Sequence, residues 1–176
     1  MSYERYQEAA DQYRPKRIKI LFIQESPPYA ADRHFYFTGI RMHDMLWVAL
    51  TRFLYAEDFG DAADERARKE VWLKRFCADG YFTIDAVRES IAKQDGDERA
   101  AMIAARAPAA IAEVRALAPQ QIVLVKKSVF EGFHQPFRDA GLPVVNDVAV
   151  PFPGRGQEGR FRTILSGLVS DGKLKL

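Results

Sequence analysis

The stretch from Arg17 to Tyr29 constrains this chain most: Arg-Ile-Lys-Ile-Leu-Phe-Ile-Gln-Glu-Ser-Pro-Pro-Tyr. Its first half is β-branched and aromatic, too short for an ordinary helix, and reads as a buried strand. Its second half breaks abruptly. Glu25 and Ser26 are polar, Pro27 and Pro28 have no N–H to give a sheet, and Tyr29 follows. In α/β proteins ligands bind just beyond the carboxyl ends of parallel strands. A strand ending in a carboxylate, a hydroxyl, a rigid turn and an aromatic ring therefore predicts a ligand floor, although the same residues would also close a strand with an ordinary turn.

Further elements follow in alternation. Tyr3, Tyr6, Ala10 and Tyr13 recur at helical spacing, so residues 1–14 predict a short amphipathic helix ended by Pro15. Residues 30–39 form a loop dense in aromatic side chains. Residues 40–55 read as a helix with Met42, Met45, Leu46, Ala49, Leu50 and Phe53 on one stripe. A charged helix over 61–77 precedes a strand at Tyr81–Asp85. The alanine-rich stretch 98–117 is a helix that Pro108 kinks or splits. Gln121–Val125 is a third strand, and 128–140 a helix with Pro136 as its break. Pro143–Asn146 reads as a short fourth strand, 157–168 as the last helix, and the tail 170–176 should fray. This alternation predicts one α/β domain over residues 1–176 with a mainly parallel sheet.

Composition narrows the class. The chain has 176 residues, 48% of them hydrophobic, enough for a substantial core without disulfides or metals. A net charge of +2 excludes wholesale polybasic binding and makes the placement of the arginines matter more than their sum. The lone Cys77 reads as a reduced, half-buried helix residue. With no apolar run of membrane-spanning length and no signal-like start, a cytoplasmic protein without membrane contact is expected. Cys77 and the histidines at 34, 43 and 134 show no ligand spacing, so no metal is expected. No glycine-rich phosphate loop follows a strand, and no cofactor is expected. His43 reads as a structural histidine.

The residues just past each strand would meet at one edge. They are Gln24, Glu25, Ser26 and Tyr29 from the first strand and Asp85 from the second. The third gives Lys126 and Lys127, and the fourth Asn146 and Asp147. Near the C-terminus a Pro/Gly loop, Val150 to Gly156, leads into a helix carrying Arg155, Arg160 and Arg162 around its first turns. Helix amides and guanidiniums together suit an anion such as a nucleotide or DNA phosphate, or form a solvated basic face.

Gln24-Glu25-Ser26-Pro27-Pro28-Tyr29, the Ile84-Asp85 strand end and the late Pro151-Phe152-Pro153-Gly154 loop before an Arg-rich helix together resemble the uracil-DNA glycosylase superfamily. The resemblance implies a three-layer α/β/α sandwich with a four-stranded, mainly parallel sheet that binds a base extruded from DNA. By position it implies stacking by Phe35 or Tyr36 and base contacts from Tyr29, Asp85 and Phe152, with phosphate contacts from Lys127, Arg155, Arg160 and Arg162. Ser26 stands where the superfamily has its water-activating Asp or Asn, and Val150 where it has a histidine. Catalysis would then fall to Glu25, with Ser26 beside it. At Asp85 an ionised carboxylate, which only accepts, would favour a base edge that donates N–H rather than uracil. The expected function is hydrolysis of the N-glycosidic bond of a flipped base in DNA, with bases other than uracil among the candidates. The alternatives are a non-catalytic nucleic-acid- or nucleotide-binding protein on the same fold and an unrelated small hydrolase of a free metabolite. DNA or a nucleotide is the expected partner, and a monomer the expected state.

Overall fold

The computed structural model describes residues 3–30, 33–41 and 44–176. Its centre is β1 (Ile20–Gln24), buried at all five positions because parallel strands flank it on both sides and helices cover its faces. β1 pairs with β2 (Tyr81–Asp85) in the register Ile20 to Tyr81 through Gln24 to Asp85. On its other side it pairs with β3 (Gln121–Leu124), giving the order β2-β1-β3. The chain thus leaves β1 in one direction and returns past it in the other. That reversal opens a crevice at the carboxyl ends of β1 and β3.

The helices are α1 (Glu4–Asp11), α2 (Met45–Leu54), α3 (Ala62–Ala67), α4 (Lys69–Ala78), α5 (Gly96–Leu117), α6 (Lys127–Asp139) and α7 (Glu158–Ser170). Several differ from expectation in instructive ways. α2 starts later than the apolar stripe suggested, and Met42 and His43 lie outside the described residues. The charged helix is two, because Arg68 leaves helical geometry at φ −106° and ψ 16°, and Lys69 beyond it is buried. α5 is continuous: Asp95 caps it by accepting from the Asp97 and Glu98 amides at 2.9 Å. Pro108 is exposed among alanines, so a single missing amide does not divide it. α6 likewise runs through Pro136. α5 and α6 pack closely enough that a Cβ at Gly132 would stand 2.7 Å from Ile103 Cγ2. The tail does not fray. Leu174 is buried, and Gln121 holds the backbone of Lys175 through both ends of its amide, at 2.7 and 2.9 Å.

The fourth strand is reduced to isolated parallel bridges, Ile122 to Val144 and Val125 to Val150. Between them the fully buried Asn146 replaces main chain with side chain. Its Oδ1 accepts from the Leu124 amide at 2.9 Å. Its Nδ2 donates to the Leu124 and Val148 carbonyls at 3.1 and 2.9 Å. The segment can therefore leave the sheet at 146 and rejoin it at 150 without orphaning Leu124. Asn146→Ala is expected to cost about 3 kcal/mol, since it strands both buried backbone groups of Leu124. Urea denaturation measures this, and a loss under about 1 kcal/mol would mean that water takes the amide's place.

A carboxylate-floored cleft at the strand ends

Past β1, the chain enters the crevice that the strand order predicts. Glu25 is buried there, and it is tied to the end of β3 rather than left free. Lys126 Nζ donates to Oε2, Ser128 Oγ donates to Oε1 at 2.5 Å, and Arg99 Nε stands 4.0 Å from Oε1. Lys126 forms the floor at a backbone cost. Its φ of 83° and ψ of 141° fall where glycine is at ease and other residues are strained, and its amide is fixed by the Val150 carbonyl at 2.6 Å.

Above this floor lies an open cleft of about 210 Å³. Phe35, Trp47 and Phe152 form apolar flat walls, while Gln24, Glu25 and Lys126 offer polar groups below. Ser26, Pro27 and Pro28 complete the near side. The volume lies under the roughly 300–1,000 Å³ of pockets for drug-sized ligands, so the cleft suits one small ring system. Gly154 lets the Pro/Gly loop close down: a Cβ there would stand 3.3 Å from both Met45 Cε and the Phe152 ring.

Behind the Trp47 wall sits a buried charge cluster. Asp44, which also lines the cleft, accepts from Arg66 Nε at 2.7 Å and from Lys69 Nζ at 3.2 Å. Lys69 Nζ stands 4.8 Å from the centre of the Trp47 ring. Burial lowers the Lys69 pKa to about 8, against the opposing pull of Asp44.

The expected site residues divide. Glu25, Ser26, Phe35 and Phe152 share the cleft. Asp85 does not line it. It borders a second cavity, and His34 lines both, with Nε2 3.4 Å from Asp85 Oδ2. Burial pushes the Asp85 pKa up, and the His34 and Gln24 side chains partly offset this. Tyr36 is core rather than stacking platform. Its hydroxyl accepts from the Thr83 amide at 2.7 Å and faces the Thr83 carbonyl at 3.4 Å. Tyr29 is 63% exposed and bonded to Lys93 Nζ at 2.6 Å, away from the cleft lining. Lys127 is exposed and pairs with Glu131 at 3.5 Å. Arg155, Arg160 and Arg162 are exposed and do not line the cleft. Glu158, in the first turn of α7, already answers that helix terminus and pairs with Arg52 at 2.5 Å. Val150 is fully buried as a bridge partner, so its side chain serves the core.

Ser128, Arg99 and Trp47 escaped the sequence reading as site residues, and Lys126 entered it only as one of two lysines past the third strand. Two had a usable signal. Arg99 is a cation in the first turn of a helix, where the dipole disfavours it. Trp47 is a large ring off the apolar stripe of its helix. Among the described residues no group of His, Cys, Asp and Glu could hold a metal ion, and no helix is long and apolar enough to cross a membrane. Comparison of the chain with family models, with curated proteins and with solved structures finds no match in any of the three.

Proposed function

We propose that the cleft binds a single base, extruded from DNA or carried by a nucleotide, on a uracil-DNA-glycosylase-like fold. The 143–150 segment would be the remnant of that fold's fourth strand. The observation that carries this reading is the pairing of flat apolar walls with a floor of donors and acceptors at the sheet's switch point. Recognition rather than hydrolysis is favoured, because both Glu25 oxygens are already engaged, one by the Lys126 ammonium and one by the Ser128 hydroxyl. A carboxylate held in this way is tied to the protein rather than presented to an attacking water. One observation favours retained N-glycosidic hydrolysis as a second reading, namely the strained Lys126 backbone beside Glu25, since such strain concentrates at reactive sites. The protein would act as a cytoplasmic monomer.

A panel of single-stranded oligonucleotides and free nucleosides, each carrying one normal or modified base, tests both readings. The expected result is saturable binding that depends on the base, weakened about tenfold or more by Phe152→Ala, as stacking on an aromatic ring is worth about 1–3 kcal/mol per base. Alkali-labile abasic sites in the same samples would promote the hydrolytic reading. Binding indifferent to the base and to Phe152→Ala would overturn both.

A further inference from the structure

The second cavity, about 230 Å³, lies between α1, β2 and α5 and is divided from the base cleft by His34, which lines both. Thr83 and Asp85 line it from β2, on one face of the strand because side chains alternate, and His34 lines it from the loop. These residues are 2%, 5% and 7% exposed. Among the described residues each leaves one buried polar atom without a hydrogen-bond partner: Thr83 Oγ1, Asp85 Oδ1 and His34 Nδ1. Buried polar atoms are normally satisfied, so the two orphans on β2, side by side on one face of the strand, ask for a ligand.

The chemistry of the two β2 atoms selects it. His34 Nε2 faces Asp85 Oδ2 and thereby turns Nδ1 to the far side of its ring. Asp85 Oδ1 accepts when ionised, and Thr83 Oγ1 accepts as well as donates. The other charges on the lining find partners within the fold. Arg14 pairs with Asp11, and Glu113 holds Arg88 at 3.1 Å and Arg106 at 2.8 Å. Among the described residues Asp85 is left with the long contact to His34 and the Gln24 side chain. Ala10, Ala116 and Leu117 give the rest of the cavity an apolar lining.

We propose that this cavity is a binding site for a small organic ammonium ion, with its N–H donors on Asp85 and Thr83 and its short apolar body against α1 and α5. An ammonium carries three donors and no acceptor, which matches a set of acceptors around one uncompensated carboxylate. Its charge would also relieve the burial that disfavours ionised Asp85.

The test uses the full chain titrated with butylamine, and with 1-butanol as the uncharged counterpart, by calorimetry and amide NMR shifts. Expected are saturable one-to-one binding of butylamine with shifts at Thr83 and Asp85, and none with 1-butanol. Asp85→Asn and Thr83→Val should each weaken it about tenfold or more. Phe152→Ala, in the base cleft, should leave it unchanged. If Asp85→Asn fails to fold, Ala116→Phe decides, because it fills the cavity from α5 without touching the polar atoms and should abolish binding. No saturable binding of butylamine, equal binding of 1-butanol, or affinity insensitive to Ala116→Phe overturns the proposal and leaves a water-filled cavity.

Discussion

Asp44→Asn is expected to destabilise the protein by about 3–5 kcal/mol, the usual consequence of removing one partner from a buried ion pair. Lys69 has 0% of its side chain exposed and Asp44 1%, so neither charge has water to fall back on. For a chain of this size the loss lowers Tm by roughly 10 °C. Lys69 can escape by releasing its proton, since its pKa already stands near 8, and the loss of Asp44 would lower it further. The double change Asp44→Asn with Lys69→Met should therefore recover much of the loss by removing the stranded amine. A single change that leaves Tm within about 2 °C would show that the pair is not a structural element.

The same lysine makes the native protein more stable as pH rises above 8. Its folded pKa is about 8, below the ordinary 10.5 of the unfolded chain. Between these values the unfolded state holds more protons, so stability increases with pH. Tyr3, Tyr36 and Tyr55 oppose the trend at higher pH. Burial raises the pKa of each, so the folded state holds their protons longer and loses stability above about pH 10. A stability maximum between pH 8 and 10 is expected in urea titrations, and its rising limb should vanish in Lys69→Met.

The second large effect concerns Lys126, which combines a strained backbone with a needed side chain. Lys126→Gly removes Nζ but frees the backbone, whereas Lys126→Met removes Nζ and keeps the strain. Both leave Glu25, with 8% of its side chain exposed, without its main counter-charge. Glycine should be the more stable of the two by about 1–3 kcal/mol, the cost of holding another residue in that region. Both should lose base binding by an order of magnitude or more, because hydrogen bonds to a charged group are worth about 1.5–3 kcal/mol. That split, with stability favouring glycine while binding demands lysine, would mark Lys126 as a residue kept for the site. Equal stability of the two variants would sink the strain argument, and intact binding in both would remove Lys126 from the floor.

Much of this architecture was legible where short-range rules govern. The apolar run before Gln24 and the strand at Tyr81–Asp85 follow from local pattern and chain chemistry. The cleft's position followed as well, because strand alternation fixes where polar strand ends converge. Long-range decisions were hidden. Whether Lys126 or Lys127 faces inward depends on a backbone twist at φ 83° that no propensity predicts. Asp85 was assigned to the base because it stands where the superfamily that the sequence resembles has its base-reading amide. The separation of its cavity from the cleft depends on His34, a loop residue 51 positions away. The arginines near α7 formed a convincing linear cluster, yet they stay exposed while Glu158 serves the helix terminus. Residues that act through distant partners carry little trace in linear order.

Asn146 and Tyr36 have a joint consequence for how this molecule meets other chains. On the outer side of β3, Pro143, Val145, Asn146 and Val150 together occupy the hydrogen-bonding positions of Ile122, Leu124 and Lys126. On the outer side of β2, the Tyr36 hydroxyl occupies those of Thr83, at the strand's middle residue. Main-chain bridges joined by the Asn146 amide on one border, and the Tyr36 phenol on the other, thus stand where further strands would otherwise add. A three-stranded sheet is a short template with two open borders, and open borders invite growth into fibrils. Here that growth is blocked on one border and interrupted on the other, so the small sheet is guarded against polymerisation by an amide and a phenol.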